Sequence, residues 1–194
     1  MPRRPVAPPA EYEPVVSNTK LAIIIVIAGE SMLFAGMVGM YLVFRLSAPT
    51  WPPPDLPRLP IGITALNTLV LLASTIPLTR ALRAARRHDP AGRGVQIAAL
   101  MGAVFLVVQG MEWIRLIGHG LTPSSGVYGG SFYLLIGCHA VHVLVAVLWL
   151  TVLAVRERHA RQGWSSWAGL EMCTFYWYFV CGLWLFLFPL VYLY

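Results

Sequence analysis

Charge is scarce in this sequence. Lys, Arg, Asp and Glu make up 11% of its 194 residues, where a soluble domain carries roughly 25%. So little polar surface cannot cover a water-exposed globule of this length. Cysteine is scarce too. Cys138, Cys173 and Cys181 all lie in apolar runs, are odd in number and lack metal-ligand spacing. That argues against a disulfide framework or a cysteine zinc site and leaves small apolar fillers. A Gly-rich phosphate loop, a Ser–His–Asp set and an acidic cluster for Mg²⁺ are also missing. The first stretch holds Pro2, Pro5, Pro8, Pro9 and Pro14 and no apolar h-region, so no cleavable signal peptide is read. The net charge is +6. The basic residues stand in short clusters between apolar runs, not in one patch interleaved with aromatics, which argues against nucleic acid.

What is present is apolar sequence: 58% of the residues are hydrophobic. About 20 apolar residues span a bilayer as a helix, and five such stretches can be read. The first lies between Lys20 and Arg45. The second runs from about Ile61 to Leu78, the third from about Val95 to Ile117, the fourth from about Gly130 to Val155, and the fifth from about Trp167 to Tyr194. The expected fold is an all-α membrane bundle over residues 20–194, preceded by a polar Pro-rich tail over residues 1–19. Short linkers predict that sequential helices are antiparallel neighbours. The WPPP run at Trp51 to Pro54 reads as a turn, because proline stops a helix and biases the residue before it.

The basic residues divide unevenly between the two ends of these spans. One side takes Arg3, Arg4, Lys20, Arg80, Arg83, Arg86, Arg87, Arg93, Arg156, Arg158 and Arg161. The other takes only Arg45, Arg58 and Arg115. Cytoplasmic loops are enriched in Lys and Arg. The split places the N-terminus in the cytoplasm and, with an odd number of spans, the C-terminus outside.

A few ionisable residues interrupt the spans. Groups of this kind at depth face protein or a water cavity and are functional candidates. Glu30 lies ten residues beyond Lys20, about 15 Å along a helix and so near mid-bilayer. It needs a partner from another helix or a proton. Gly29, Ala35, Gly36 and Gly39 cluster on other sides of the same helix, which predicts contact on two faces. His139 and His142 share one helix face at i, i+3. Such a pair can serve a metal or, singly, a haem. Alternatively the two histidines are packing groups hydrogen-bonded to Glu30 or Glu112. Gln109, Glu112 and Arg115 form a polar stripe at i, i+3, i+6, with Glu112 and Arg115 able to pair on the helix surface. Glu171 lies about one turn inside the cytoplasmic boundary and reads as a capping or interfacial group.

Several strings carry a resemblance. AGESMLFAGMVGMYLVFR resembles the Glu-bearing helix of cytochrome c oxidase subunit III, with Glu30 on that family's buried carboxylate. WPPP followed by LNTLVLLAST resembles its next loop and helix. QGMEWIRL is similar to the helix that carries Gln109 and Glu112, and SGVYGGSFYLLIGCHAVHV to the segment with the two histidines. LEMCTFYWYFVCGLWLFLFPLVY resembles the closing helix, with Glu171, Tyr176, Trp177 and Trp184 on matching positions. These strings occur in the family's order over about residues 18–194. The chain departs from the pattern where the family commonly has His and Asp, at Tyr178 and Cys181. It also begins at what resembles the third helix of the seven-helix form, so the two-helix, lipid-holding arm would come from elsewhere.

The resemblance implies a non-redox subunit of a haem–copper terminal oxidase in a bacterial inner membrane. Such a subunit stabilises the catalytic subunit and supports proton uptake and oxygen access. It implies contact with subunit I, with subunit II in the same complex, and with membrane phospholipids. It places haem and copper in those partner subunits and no cofactor, metal or catalytic residue in this chain. Glu30, Glu112, His139 and His142 are then the buried polar functional candidates, with Gln109, Glu171 and Tyr178 secondary. Other readings are a subunit-III-like companion of a nitric oxide reductase and an independent small transporter or ion-binding protein.

Overall fold

A computed structural model of the chain describes residues 18–54, 56–159 and 167–193. The tail residues, including Arg3 and Arg4, and Arg161 lie outside them. Every regular element among the described residues is helical. The elements are α1 (Asn18–Ser47), α2 (Ile61–Ala73), α3 (Thr75–Arg86), α4 (Gly92–Gly118), α5 (Gly126–His159) and α6 (Trp167–Phe188), followed by a π-helical turn over Pro189–Leu193. Five segments are long and apolar enough to cross a membrane, with α2 and α3 together forming one of them.

The second span is longer than its apolar run, and it is broken. It extends to Arg86, so Arg80, Arg83 and Arg86 stand on helix α3 rather than in a loop, and Arg93 stands on α4. Apolar length sets where the bilayer ends, not where the helix ends. Here Ala81, Leu82 and Ala85 continue the buried stripe beneath the arginines. The break at Ser74 follows from Pro77, which has no N–H to give the carbonyl of Ala73. Ser74 Oγ instead donates to the Leu71 carbonyl. At the far end Pro189 opens the ladder in the same way, and the chain continues as a π turn.

Packing departs from simple sequence order. Helix α4 packs on α5, α3 and α2, and α6 packs on α5 and α3. Helix α1 seats on α5 and α6 rather than chiefly on α2. The long connection between α1 and α2 allows this, since a linker of that length does not force its helices together. Within it, Trp51 packs edge-on against Tyr41 and Tyr128 at centroid distances of 5.6 and 4.9 Å. Contact on two faces of α1 is not what the structure shows. A methyl group placed on Gly29, Gly36 or Gly39 would meet nothing within 4 Å. Helix α1 stands at the edge of the bundle with that face open.

The core is aromatic at its centre: Trp177, Trp184, Phe34, Phe105 and Phe132 are fully buried. Gly102 of α4 is a point of close packing. A Cβ there would lie 2.4 Å from the Trp177 ring and 2.7 Å from Val147. Large apolar side chains such as Leu100, Val107, Ile114 and Leu148 face outward. A water-soluble protein does not tolerate that surface, whereas lipid tails do.

Candidate functional site: polar groups inside the bundle

Glu30 of α1 meets His142 of α5. The Glu30 Oε2 to His142 Nε2 distance is 2.7 Å. The other ring nitrogen, Nδ1, lies 2.7 Å from the Cys138 carbonyl oxygen. A carbonyl only accepts, so Nδ1 carries a proton and donates it. The contact between Glu30 and His142 therefore holds one further proton. It sits either on the carboxyl, donating to a bare Nε2, or on Nε2, donating to a carboxylate. The two arrangements have the same net charge and differ only in where that proton sits. The Glu30 side chain is 27% exposed and that of His142 13%, so the pair lies at the open flank of the α1–α5 contact. Phe34 lies edge-on over His142, at 5.1 Å between ring centroids.

His139 is placed differently. It is 1% exposed, it stacks on Trp184 at 4.9 Å, and Phe34 and Phe105 stand edge-on to it. Neither of its ring nitrogens has a hydrogen-bond partner. The expected hydrogen bond from this residue to a carboxylate is absent, because its helix face turns into the aromatic core. Among the described residues no group of three or more His, Cys, Asp or Glu is placed to hold a metal ion.

Glu112 also stands apart from Glu30. It belongs to a chain of hydrogen bonds linking α4, α2 and the terminal π turn. Gln109 Nε2 donates to Tyr192 Oη at 3.0 Å, and Tyr192 Oη donates to Glu112 Oε1 at 2.9 Å. Glu112 Oε2 lies 2.7 Å from Thr64 Oγ1, which lies 2.8 Å from the Pro60 carbonyl. A threonine hydroxyl has one proton and the Pro60 carbonyl can only accept. Both contacts are satisfied when Thr64 donates to Pro60 and a protonated Glu112 donates to Thr64. The π turn is what brings Tyr192 over this carboxyl. The surface pair of Glu112 with Arg115 does not form: Glu112 is 3% exposed and turned inward, while Arg115 lies outside.

A hydrophilic seam along α2 and α3 continues from this chain and was not read from the sequence. Asn67 Nδ2 donates to the Phe105 carbonyl at 3.0 Å. Trp184 Nε1 donates to Thr68 Oγ1 at 2.8 Å, and Trp177 Nε1 donates to Ser74 Oγ at 2.9 Å. Thr79 Oγ1 and Tyr178 Oη lie 2.6 Å apart. At the end of the seam Arg86 donates to Glu171 at 2.6 Å, with Lys20 at 3.9 Å from the same oxygen. Glu171 is thus an ion-pair centre joining α1, α3 and α6, rather than a helix cap. The seam had a signal in the sequence: Thr64, Asn67, Thr68, Ser74, Thr75 and Thr79 recur at helical spacing inside an apolar run.

Comparisons with known proteins agree on one family. Its profile, described as cytochrome c oxidase subunit III, matches residues 10–194. The chain is 33% identical over 174 residues to cytochrome c oxidase subunit 3 of a Synechocystis strain, covering 88% of this chain and 73% of that one. It is 32% identical over 174 residues to the protein of the same name from Corynebacterium diphtheriae, covering 87% and 84%. Over 185 residues it is 36% identical to the one from Marchantia polymorpha, covering 89% and 67%.

Proposed function

Because the chain belongs to the cytochrome c oxidase subunit III family, we propose that it serves its oxidase through the Glu30–His142 pair, as a proton-holding group rather than a redox centre. The chain is a multi-pass membrane protein and an accessory subunit of a haem–copper oxidase. Three finer points belong to this reading. The membrane is the bacterial plasma membrane. The main contact is with subunit I, in a complex that also contains subunit II. Haem and copper reside in those partners. The relatives compared above carry cytochrome c oxidase names, and neither a nitric oxide reductase companion nor an independent transporter finds support among them.

One observation carries the reading: Glu30 Oε2 lies 2.7 Å from His142 Nε2, with Nδ1 held by a backbone carbonyl, a contact that one proton bridges. A pair of this kind can take a proton at one nitrogen and release one at the carboxyl without reorganising the helices. Its partial exposure on the flank of α1 leaves it reachable from outside the bundle. Glu112, whose two oxygens are both engaged by Tyr192 and Thr64 in a closed chain, has no comparable freedom and holds α2, α4 and the π turn together. His139 is a packing group in the aromatic core.

The test is purification of the tagged chain from membranes. Co-purification with haem-containing subunits and an oxidase optical spectrum is the expected result. The chain expressed without those subunits should show no haem absorption. Purification as a lone active transporter, or a haem band lost on changing His142, would overturn the assignment.

A further inference from the structure

At the end of the bundle opposite Glu171, a cavity of about 340 Å³ opens between α2 and α4. Its lining is largely apolar, with Leu116 buried and Ile63 and Met111 exposed, and it also includes Arg58, Arg115 and His119. This end of the molecule is poor in cations. Arg45, Arg58 and Arg115 are the only arginines assigned to it and it has no lysine, yet two of the three converge on one cavity. Neither Arg58 nor Arg115 has an acidic partner among the described residues. His119 Nδ1 donates to the Arg115 carbonyl at 2.6 Å, which leaves Nε2 for a ligand. The one acidic side chain in the lining is Glu112. Its carboxyl is buried and engaged at both oxygens by Thr64 and Tyr192.

We propose that this cavity is a site for one anionic glycerophospholipid of the outer leaflet, its phosphate between Arg58 and Arg115 and part of an acyl chain along the exposed Ile63 and Met111. Two features select that occupant. An apolar lining open to the bilayer accepts a hydrocarbon chain, and two guanidiniums without an acidic partner among the described residues take a phosphodiester by charge-assisted hydrogen bonds. A zwitterionic lipid brings its own cation and loses most of that gain. The site stands independently of the role given to Glu30, because it lies at a different contact and involves neither residue of that pair.

The experiment uses the assembled, delipidated oxidase complex. It is incubated with phosphatidylglycerol or with phosphatidylcholine of the same acyl chains, and lipid retained per complex is measured by native mass spectrometry. The intact complex should hold one phosphatidylglycerol at least about tenfold more tightly than phosphatidylcholine, the preference that two cations near a membrane surface supply. The double change Arg58→Gln with Arg115→Gln should bring the two lipids level. The Lys versions at both positions should keep the preference, and Ile63→Trp should expel either lipid. Changing Arg83 and Arg87 to Gln, at the other end of the bundle, should alter nothing at this site. Equal phosphatidylglycerol retention in the intact and the Arg58/Arg115 Gln complexes would overturn the proposal. So would loss of a partner subunit from the Gln complex with lipid retention unchanged, which would assign the cavity to a protein contact.

Discussion

The behaviour of Glu30 follows from the bonds of its partner. His142 Nδ1 is committed to the Cys138 carbonyl, so only Nε2 can exchange a proton with the carboxyl. Glu30→Gln keeps the size and lets the amide donate to Nε2. The complex should assemble, while turnover, its pH dependence or its working lifetime should fall. Glu30→Leu also leaves Nε2 without a partner, which costs roughly 1–3 kcal/mol, so assembly should weaken as well. If the Gln variant matches the unmodified oxidase in turnover, pH profile and lifetime, the pair is a packing contact only. Glu112 should respond in the opposite sense. Its two oxygens are engaged by Tyr192 and Thr64, and a Gln amide can accept from the one and donate to the other. Glu112→Gln should therefore leave turnover and thermal stability close to normal, whereas Glu112→Leu should lower stability. Infrared difference spectra between the Gln variant and the unmodified protein should show the loss of one protonated carboxyl stretch at neutral pH. Loss of a carboxylate band instead would show that Thr64 is the donor.

At the scale of the helices, close approach is set by small residues. Gly102→Leu would press a side chain into Trp177 and Val147, where even a Cβ meets the ring at 2.4 Å. Overpacking of this kind costs typically about 1–3 kcal/mol, and the variant complex should lose this chain on detergent extraction. Gly110→Leu, with nothing within 4 Å of its Cβ, should behave as the unmodified protein does, so equal stability of the two variants would refute the close contact. The helices themselves were legible because a bilayer demands apolar runs of fixed length, and five such runs stand in the sequence. The break at Ser74 was readable in principle from Pro77. The extent of α3 was not, because its arginines look like loop residues until Ala81, Leu82 and Ala85 are seen to bury beneath them. Partner choice was legible only in part. Glu30 and the histidines announce themselves as ionisable groups in apolar sequence. Which histidine takes the carboxylate depends on how α1 seats on α5, and neither sequence spacing nor loop length records that. The α2 seam shows the reverse case. Its hydroxyls have helical periodicity but are small and uncharged and so do not stand out in apolar sequence, yet interhelical hydrogen bonds of this type contribute on average about 0.6 kcal/mol each within a membrane.

For the whole molecule, the distribution of charge between its two ends predicts an orientation. Among the described residues, the end holding the start of α1, the end of α3, the start of α4 and the end of α5 bears Lys20, Arg80, Arg83, Arg86, Arg87, Arg93, Arg156 and Arg158. The opposite end bears Arg45, Arg58 and Arg115. Five spans necessarily place the two termini on opposite sides. The positive end resists translocation, because moving each cation across the core against the membrane potential is unfavourable by about 2.3 kcal/mol per 100 mV. The connection at residues 87–91 is short and Arg-flanked, the kind of loop in which this bias acts most strongly. A reporter that works only in the cytoplasm should be active when inserted after His88 and silent when fused after Tyr194. A reporter that works only outside should give the reverse. Cytoplasmic activity at Tyr194 would refute both the orientation and the odd number of spans, while inverted activity at both points would refute the orientation alone. In the expected orientation the Glu171 ion-pair centre, with Arg86 and Lys20, lies at the cytoplasmic boundary, and the cavity bearing Arg58 and Arg115 opens at the outer one. A cation-poor outer face that nonetheless gathers two arginines at one groove is then a local exception to the rule that orients the chain, as a site for an anion at that level requires.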